Sequence, residues 1–476
     1  MKILHCADIH LGDLNGPIIG GENARRQDTI GCMVEIANTA RREAGTGRPI
    51  NVAVIAGDLF NRSRVWADTA LDDINDAIHE LLRLLCTACE HVVLLFGTEN
   101  HDNPRAFGVL EQTTRNETNL HILTDPAVHT FETSAGDIQI LALPGFDKGR
   151  LRAFMPDADK ETENQNATTL INDVLLGLST KLDKSKPSIL VAHYTVAGSE
   201  SESGSTFMAG QDVVLLPAII DVTGVTLATL GHIHKPQRLQ CNTPAFYSGS
   251  PNQLTFNDED IDHGFYMHHI EGKSVKSDFI PMPERCHKTL RFDQDDIAQF
   301  IQTGQMPDAF TALDLYMGCI VRVRYKATAE QDKALNKAEL QKQLISWGAF
   351  HVAEILAEDV DDGVSAYDTT SDDTPTAALG RYLDIAETRQ DDAIRLMELA
   401  APLIQKADDG READQHTGAF IPRRIEVRNY RSYTAATFDF DAIRMAMVNG
   451  PNGVGKSSLS WMRSRTRFLK RAGMVR

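Results

Sequence analysis

A chain of 476 residues exceeds an ordinary single domain and leaves room for two or three, each with its own core. With 42% hydrophobic and 24% charged residues the composition is that of a globular protein, and no apolar run reaches the roughly 18 residues a membrane span needs. A net charge of −18 excludes a protein that holds nucleic acid through its overall field, so any such grip has to be local or shared with another chain.

That charge is unevenly placed. From Ile421 onward twelve Lys or Arg face three acids, which leaves a net −27 on the residues before it. The opening residues lack a basic stretch followed by a sustained apolar one, so no secretory signal is expected and a cytoplasmic location is. Seven cysteines scattered from Cys6 to Cys319 make no disulfide framework and are expected to be reduced. Cys86 and Cys89 have redox or zinc spacing, yet no second pair follows. With Ile74, Ile78, Leu81, Leu82 and Leu85, Cys89 completes one helical stripe and reads as core.

In chain order, short apolar runs rich in β-branched residues recur at 2–7, 51–56, 91–96, 137–143, 188–192 and 226–230, and read as buried strands. Helical patterns around Ile30, Met33, Val34 and Ala37, and again from Ile74 to Leu85, separate the early ones. This alternation predicts an α/β domain over residues 1–285. Residues 286–358 mix a strand near Cys319–Tyr325 with a helix over Ala334–Trp347, as in a small α+β domain. Residues 359–376 form an acidic linker; Glu358 to Asp373 holds seven acids and no base. Apolar residues at helical spacing over 377–410 predict helices whose faces dock on this chain or on a partner.

The chemistry lies where the apolar runs stop. Asp8 with His10, Gly57-Asp58, Asn100-His101-Asp102, His193, and Gly231-His232-Ile233-His234 each follow a strand, where ligands collect in α/β folds. Asp-x-His and His-x-His place two side chains on one side of an extended segment. Carboxylate, imidazole and amide donors together suit divalent manganese or iron, with zinc and magnesium as further options. Two such cations would activate water and stabilise the charge of phosphoester hydrolysis. Each piece alone is weak; the ordered set carries the inference.

A second motif closes the chain. After a strand-like run over 443–449, Gly450-Pro451-Asn452-Gly453-Val454-Gly455-Lys456-Ser457-Ser458 follows the Walker A pattern. There Gly450, Asn452, Gly453 and Gly455 let backbone N–H groups surround phosphates, Lys456 reaches the outer ones, and Ser457 and Ser458 supply hydroxyls. No acidic Walker B strand follows Leu459, so ATP is expected to bind weakly, or only with a partner.

The order Asp8-x-His10, Gly57-Asp58, Asn100-His101-Asp102, His193, His232-x-His234 resembles calcineurin-like metallophosphoesterases, a sandwich of two mixed β-sheets flanked by helices. Gly57-Asp58-Leu59-Phe60, His232-Ile233-His234-Lys235-Pro236-Gln237 and Tyr247-Ser248-Gly249-Ser250-Pro251 narrow the resemblance to SbcD-type nuclease subunits of DNA-repair complexes. It covers roughly residues 1 to 410 and implies a capping domain at 286–358, partner-binding helices at 377–410, and a homodimer within a larger complex on DNA. It implies one metal at Asp8, His10, Asp58 and His234, and another at Asp58, Asn100, His193 and His232. His101 would orient the scissile phosphate or protonate its leaving oxygen. Residues 421–476, with Arg424-Ile425-Glu426-Val427-Arg428-Asn429-Tyr430-Arg431 and the Walker motif, resemble the truncated start of the SbcC-type ATPase partner. A basic DNA anchor is the other reading of that segment.

The expected activity is exonuclease or endonuclease cleavage of DNA phosphodiesters. The alternatives are a phosphatase or phosphodiesterase acting on small molecules, which shares the chemistry, and a non-catalytic partner-binding scaffold. Two departures stand out. Asn61 occupies a position where many relatives have His, and Thr98-Glu99 separates Gly97 from Asn100 where relatives often read Gly-Asn-His-Asp.

Overall fold

The structure is a computed structural model that describes residues 1–62, 70–98, 100–145, 160–204, 213–283, 285–311, 315–361, 396, 399–400, 424–430 and 433–439. The chain divides into two compact units, Met1–Asp362 and Gly363–Arg476. Among the described residues no helix is long and apolar enough to cross a membrane.

Twelve strands of the first unit build two six-stranded sheets: β1 (Lys2–Cys6), β2 (Ile50–Ile55), β3 (Cys89–Leu95), β4 (Leu120–Leu123), β5 (Ala127–Thr133), β6 (Gly136–Leu143), β7 (Ser188–His193), β8 (Leu227–Gly231), β9 (Gln237–Arg238), β10 (Ala245–Tyr247), β11 (Gly264–Glu271) and β12 (Ser274–Pro281). One sheet runs β12-β11-β1-β2-β3-β4 and the other β9-β10-β8-β7-β6-β5. The inner strands pair in parallel, and β11, β12, β5 and β9 pair antiparallel at the flanks, so both sheets are mixed.

Period-two alternation explains the layers. Ile3, Ala7, Val52, Val54, Val93 and Leu95 face Ile138, Ile140, Ala142, Ile189 and Val191 between the sheets. Their neighbours Leu4, Cys6, Ala53, Ile55, Val92 and Leu94 point outward beneath α1 (Ala24–Gly45) and the helical stretch 70–88. Leu141, Leu143, Leu190, Ala192, Ala228 and Leu230 do the same beneath the helices Lys160–Ser179 and Pro217–Thr223. Strands covered on both faces read as continuous apolar runs, which makes them legible in the sequence. Burial of each such Val, Leu or Ile contributes about 1.5–3 kcal/mol.

The stripe from Ile74 folds as one helical stretch with a π-helical turn at Ala77–Leu82, and ends at Ala88. Cys89 therefore opens β3 instead of closing the helix. Burial pushes the Cys86 and Cys89 thiols up to about 12, as inert core cysteines require.

Residues 286–361 form a parallel sheet of β13 (His287–Phe292), β14 (Ile320–Thr328) and β15 (His351–Asp361), with the helices Gln294–Thr303, Ala329–Ala334 and Lys337–Ser346 in its crossovers. The last strand runs to Asp361, into the residues expected as linker. Cys286 and Cys319 are joined by a disulfide, which corrects the expectation of free thiols throughout. The pairing of His287 with Ile320 sets the two preceding residues side by side, a register with no signature in the sequence. Arg285 ties this sheet to the sandwich through Asp28, at 2.9 and 3.0 Å, and stacks on Phe350.

In the second unit the described strands are Arg424–Tyr430 and Tyr433–Asp439, an antiparallel pair. The Walker-type residues 450–458, and all of the helices expected at 377–410 save Leu396, Leu399 and Ala400, lie outside the described residues.

Two buried histidines give the core a pH dependence. His5 and His268 bond ring to ring at 3.3 Å, and the His5 Nε2 edge meets Leu230 O at 3.1 Å. Burial pushes His5 down to about 3 and His268 well below its ordinary 6.5. Both rings stay neutral in the folded protein, while the unfolded chain takes up protons near 6.5. Their contribution is therefore complete above that pH and lost as pH falls toward 3, by about 1.4 kcal/mol per unit for each ring. Urea unfolding in chelator should show the midpoint dropping from neutral pH to about 5, with a shallower slope in His5→Leu; equal slopes would exclude this origin.

Candidate metal centre

Five strands of the sandwich end at one pit. The segment after β1 carries Asp8 and His10, that after β2 carries Asp58, that after β3 carries Thr98 to His101, β7 ends at His193, and the turn after β8 carries His232 and His234. Parallel strands from both sheets thus deliver ligands at their carboxyl ends. Asp8, His10, Asp58 and His193 are all at most 2% exposed.

The backbone is bent to reach the pit. Asp8, His10, Asp58 and His232 have φ of 52°, 51°, 50° and 96°, all in the left-handed region that side chains with a Cβ avoid. Such conformations cost on the order of 1–3 kcal/mol each and persist where surrounding contacts enforce them. Here Asp8 N–H donates to Gly57 O at 3.0 Å and His10 N–H to Asp58 O at 3.1 Å, which lash the first two ligand segments together. At Gly231 a Cβ would strike Ala56 O and the His193 ring, so the chain passes only as glycine.

Three groups of donor atoms converge: Asp8 with His10 and His234, His10 with Asp58 and His101, and Asp58 with His193 and His232. Within each the ligand atoms lie within 4.8 Å of one another. His193 Nδ1–H donates to Ala56 O at 2.7 Å, which turns Nε2 inward, 3.2 Å from Asp58 Oδ2 and 3.9 Å from Asp8 Oδ1. Both Asp8 oxygens accept the His232 N–H at 3.0 Å. His10 Nε2 and His234 Nε2 are 3.1 Å apart, the spacing of two donors aimed at one point. His101 Nδ1–H donates to Asn61 O at 2.8 Å, and its ring stands edge-on to His10 with centroids 4.5 Å apart.

The electrostatics show an incomplete charge balance. Burial pushes Asp8 up to about 6, and burial together with Asp58 pushes Asp102 up to about 8. Burial also disfavours charge on Asp58 and His193, but their mutual attraction prevails. It holds Asp58 far below the usual carboxylate range and His193 up at about 10. His10 Nδ1 and His193 Nε2 are buried without an aligned hydrogen-bond partner. Buried lone pairs with no donor, beside carboxylates that burial penalises, fit divalent cations.

Among the His and Asp residues expected, the structure brings together Asp8, His10, Asp58, His101, His193, His232 and His234. Asn100 is exposed on the turn, and the groups on Asp58 Oδ1 are the Thr98 N–H at 2.7 Å and hydroxyl at 3.3 Å. Glu202, which accepts the His234 N–H at 2.8 Å, has no signal in the sequence. Side chains that hold ligands through the backbone leave no spacing to read.

Residues 1–236 match the calcineurin-like phosphoesterase family. A protein of Staphylococcus saprophyticus, named as the D component of the nuclease SbcCD, is 27% identical over 306 residues, which span 63% of this chain and 74% of the relative. Its namesake in Staphylococcus epidermidis is 26% identical over 314 residues, with 63% and 74% covered. The match to the family ends just past His234, so the family's residues and the buried donor cluster coincide. The chain therefore carries, over residues 1–236, a calcineurin-like metallophosphoesterase domain.

Proposed function

We propose that this chain is a metal-dependent DNA nuclease, the hydrolytic member of a repair or recombination complex with an SbcC-like ATPase. The observation that carries the reading is the convergence of two aspartates and five histidines in one buried pit. The name the relatives share, that of the D component of the nuclease SbcCD, supports the substrate and the partner.

The proposed ligands are Asp8, His10 and His234 on one side and Asn100, His193 and His232 on the other, with Asp58 between. Their mix of carboxylate and imidazole favours manganese. Two bound cations supply Lewis-acid activation of water and neutralise the phosphodiester's charge. The protein's own groups set the stage. Ala56 O holds the His193 ring through Nδ1, so Nε2, protonated beside Asp58 in the metal-free site, would offer its lone pair to a cation without reorientation once that proton leaves. Asp8 is held by the His232 N–H and so couples the ligands of both sheets. His101 donates from Nδ1 to Asn61 O, which leaves Nε2 for the substrate; in the imidazolium form its Nε2–H would meet a phosphate oxygen and pass that proton to the leaving group. Asn61 contributes this orienting carbonyl; its amide donates to Asp13 O at 3.0 Å and carries no titratable proton.

Asp58→Ala should abolish manganese-dependent cleavage of linear duplex DNA, because one substitution removes a ligand from both halves of the site. Full activity would refute the assignment. His101→Ala should lose about 10²–10⁴-fold in rate while binding manganese as before; loss of metal from the folded variant would make His101 a ligand instead.

Truncation before Ile421 should leave metal-dependent cleavage intact, since every proposed ligand lies between Asp8 and His234 in the unit that ends at Asp362. ATP turnover should stay at background in the full chain, because the Walker-type residues lack the acid and partner elements hydrolysis requires. Turnover above background, or cleavage lost on truncation, would show that residues 421–476 do more.

A further inference from the structure

The loop after β3 holds two residues, Thr98 and Glu99, between Gly97 and the Asn100-His101-Asp102 motif. Thr98, immediately after Gly97, directs both its N–H, at 2.7 Å, and its hydroxyl, at 3.3 Å, to Asp58 Oδ1. Asn100 stands two positions further on and is exposed. Thr98 is engaged on its other side as well, where its carbonyl accepts the N–H of His101 at 3.0 Å and of Asp102 at 2.8 Å. Asp102 in turn is buried and accepts the N–H of Gly97 at 2.8 Å and of Phe60 at 3.1 Å, which closes the loop onto the segment after Asp58.

One residue therefore orients two members of the pit. Through N–H and hydroxyl Thr98 occupies Oδ1 of Asp58 and leaves Oδ2 facing His193 Nε2 at 3.2 Å. Through its carbonyl it sets the turn from which His101 projects. A carboxylate with one oxygen fixed by two donors has a single orientation, whereas a free one samples several and presents either oxygen. Partners of this kind typically change metal affinity by about 10–100-fold when removed. From this we infer that Thr98 is a positioning residue of the metal centre, fixing the orientation of the Asp58 carboxylate.

The inference rests on the proposed metal-dependent function, and calorimetric titration of the full chain with manganese chloride separates the two. Wild type should bind manganese and Asp58→Ala should lose that binding; no binding by wild type overturns both readings. Given binding, Thr98→Val, which matches threonine in shape but lacks the hydroxyl, should weaken affinity about tenfold. Thr98→Ser should restore it, a rescue that a purely steric role would not give. Thermal melts in chelator report whether each variant is folded; if Thr98→Val is not, Thr98→Ala stands in for it. Wild-type affinity in the hydroxyl-free variant, or failure of serine to rescue, would overturn the inference.

Discussion

The structure turns on the burial of Asp58 beside Asp8 at the point where two sheets meet. Two carboxylates in a low-dielectric interior repel one another and each loses its hydration, a combination that proteins tolerate only with compensating positive charge. Five histidines surround them, and His193 answers Asp58 directly at 3.2 Å. His193, held up at about 10, balances one carboxylate, while burial pushes the other, Asp8, up to about 6. The architecture is arranged for a charge the polypeptide itself lacks.

Backbone strain points the same way. Four ligand residues sit at φ near or above 50°, each at a cost that folding alone gives no reason to incur. The ladder between the segments after β1 and β2, from Asp8 N–H to Gly57 O through Leu11 N–H to Leu59 O, holds these conformations in place. Rigid strands buried on both faces anchor the ladder, so the pit inherits its precision from the apolar core beneath it.

Much of this is legible in the sequence, for physical reasons that also mark where legibility stops. Strands packed on both faces appear as unbroken apolar runs, and ligands appear as Asp or His where those runs end; Asp8, Asp58, His193 and His232 can be read in that way. Thr98, which bonds Asp58 through its N–H and hydroxyl, cannot be read in that way, because nothing in its spacing marks it. The Cys286–Cys319 bond depends on the register of two parallel strands 33 residues apart, and register is set by three-dimensional packing. Helical periodicity continues through Cys89, one residue beyond the end of the helix, where the backbone has already become a strand.

The proposed function requires that the pit hold two cations that share Asp58. Anomalous scattering from crystals grown with manganese tests it directly. Two peaks about 3.5–4 Å apart, flanking the Asp58 carboxylate between the His10–His234 pair and the His193–His232 pair, are the predicted result. A single peak, or none within reach of Asp58 in a crystal that diffracts well enough to show one, would contradict it.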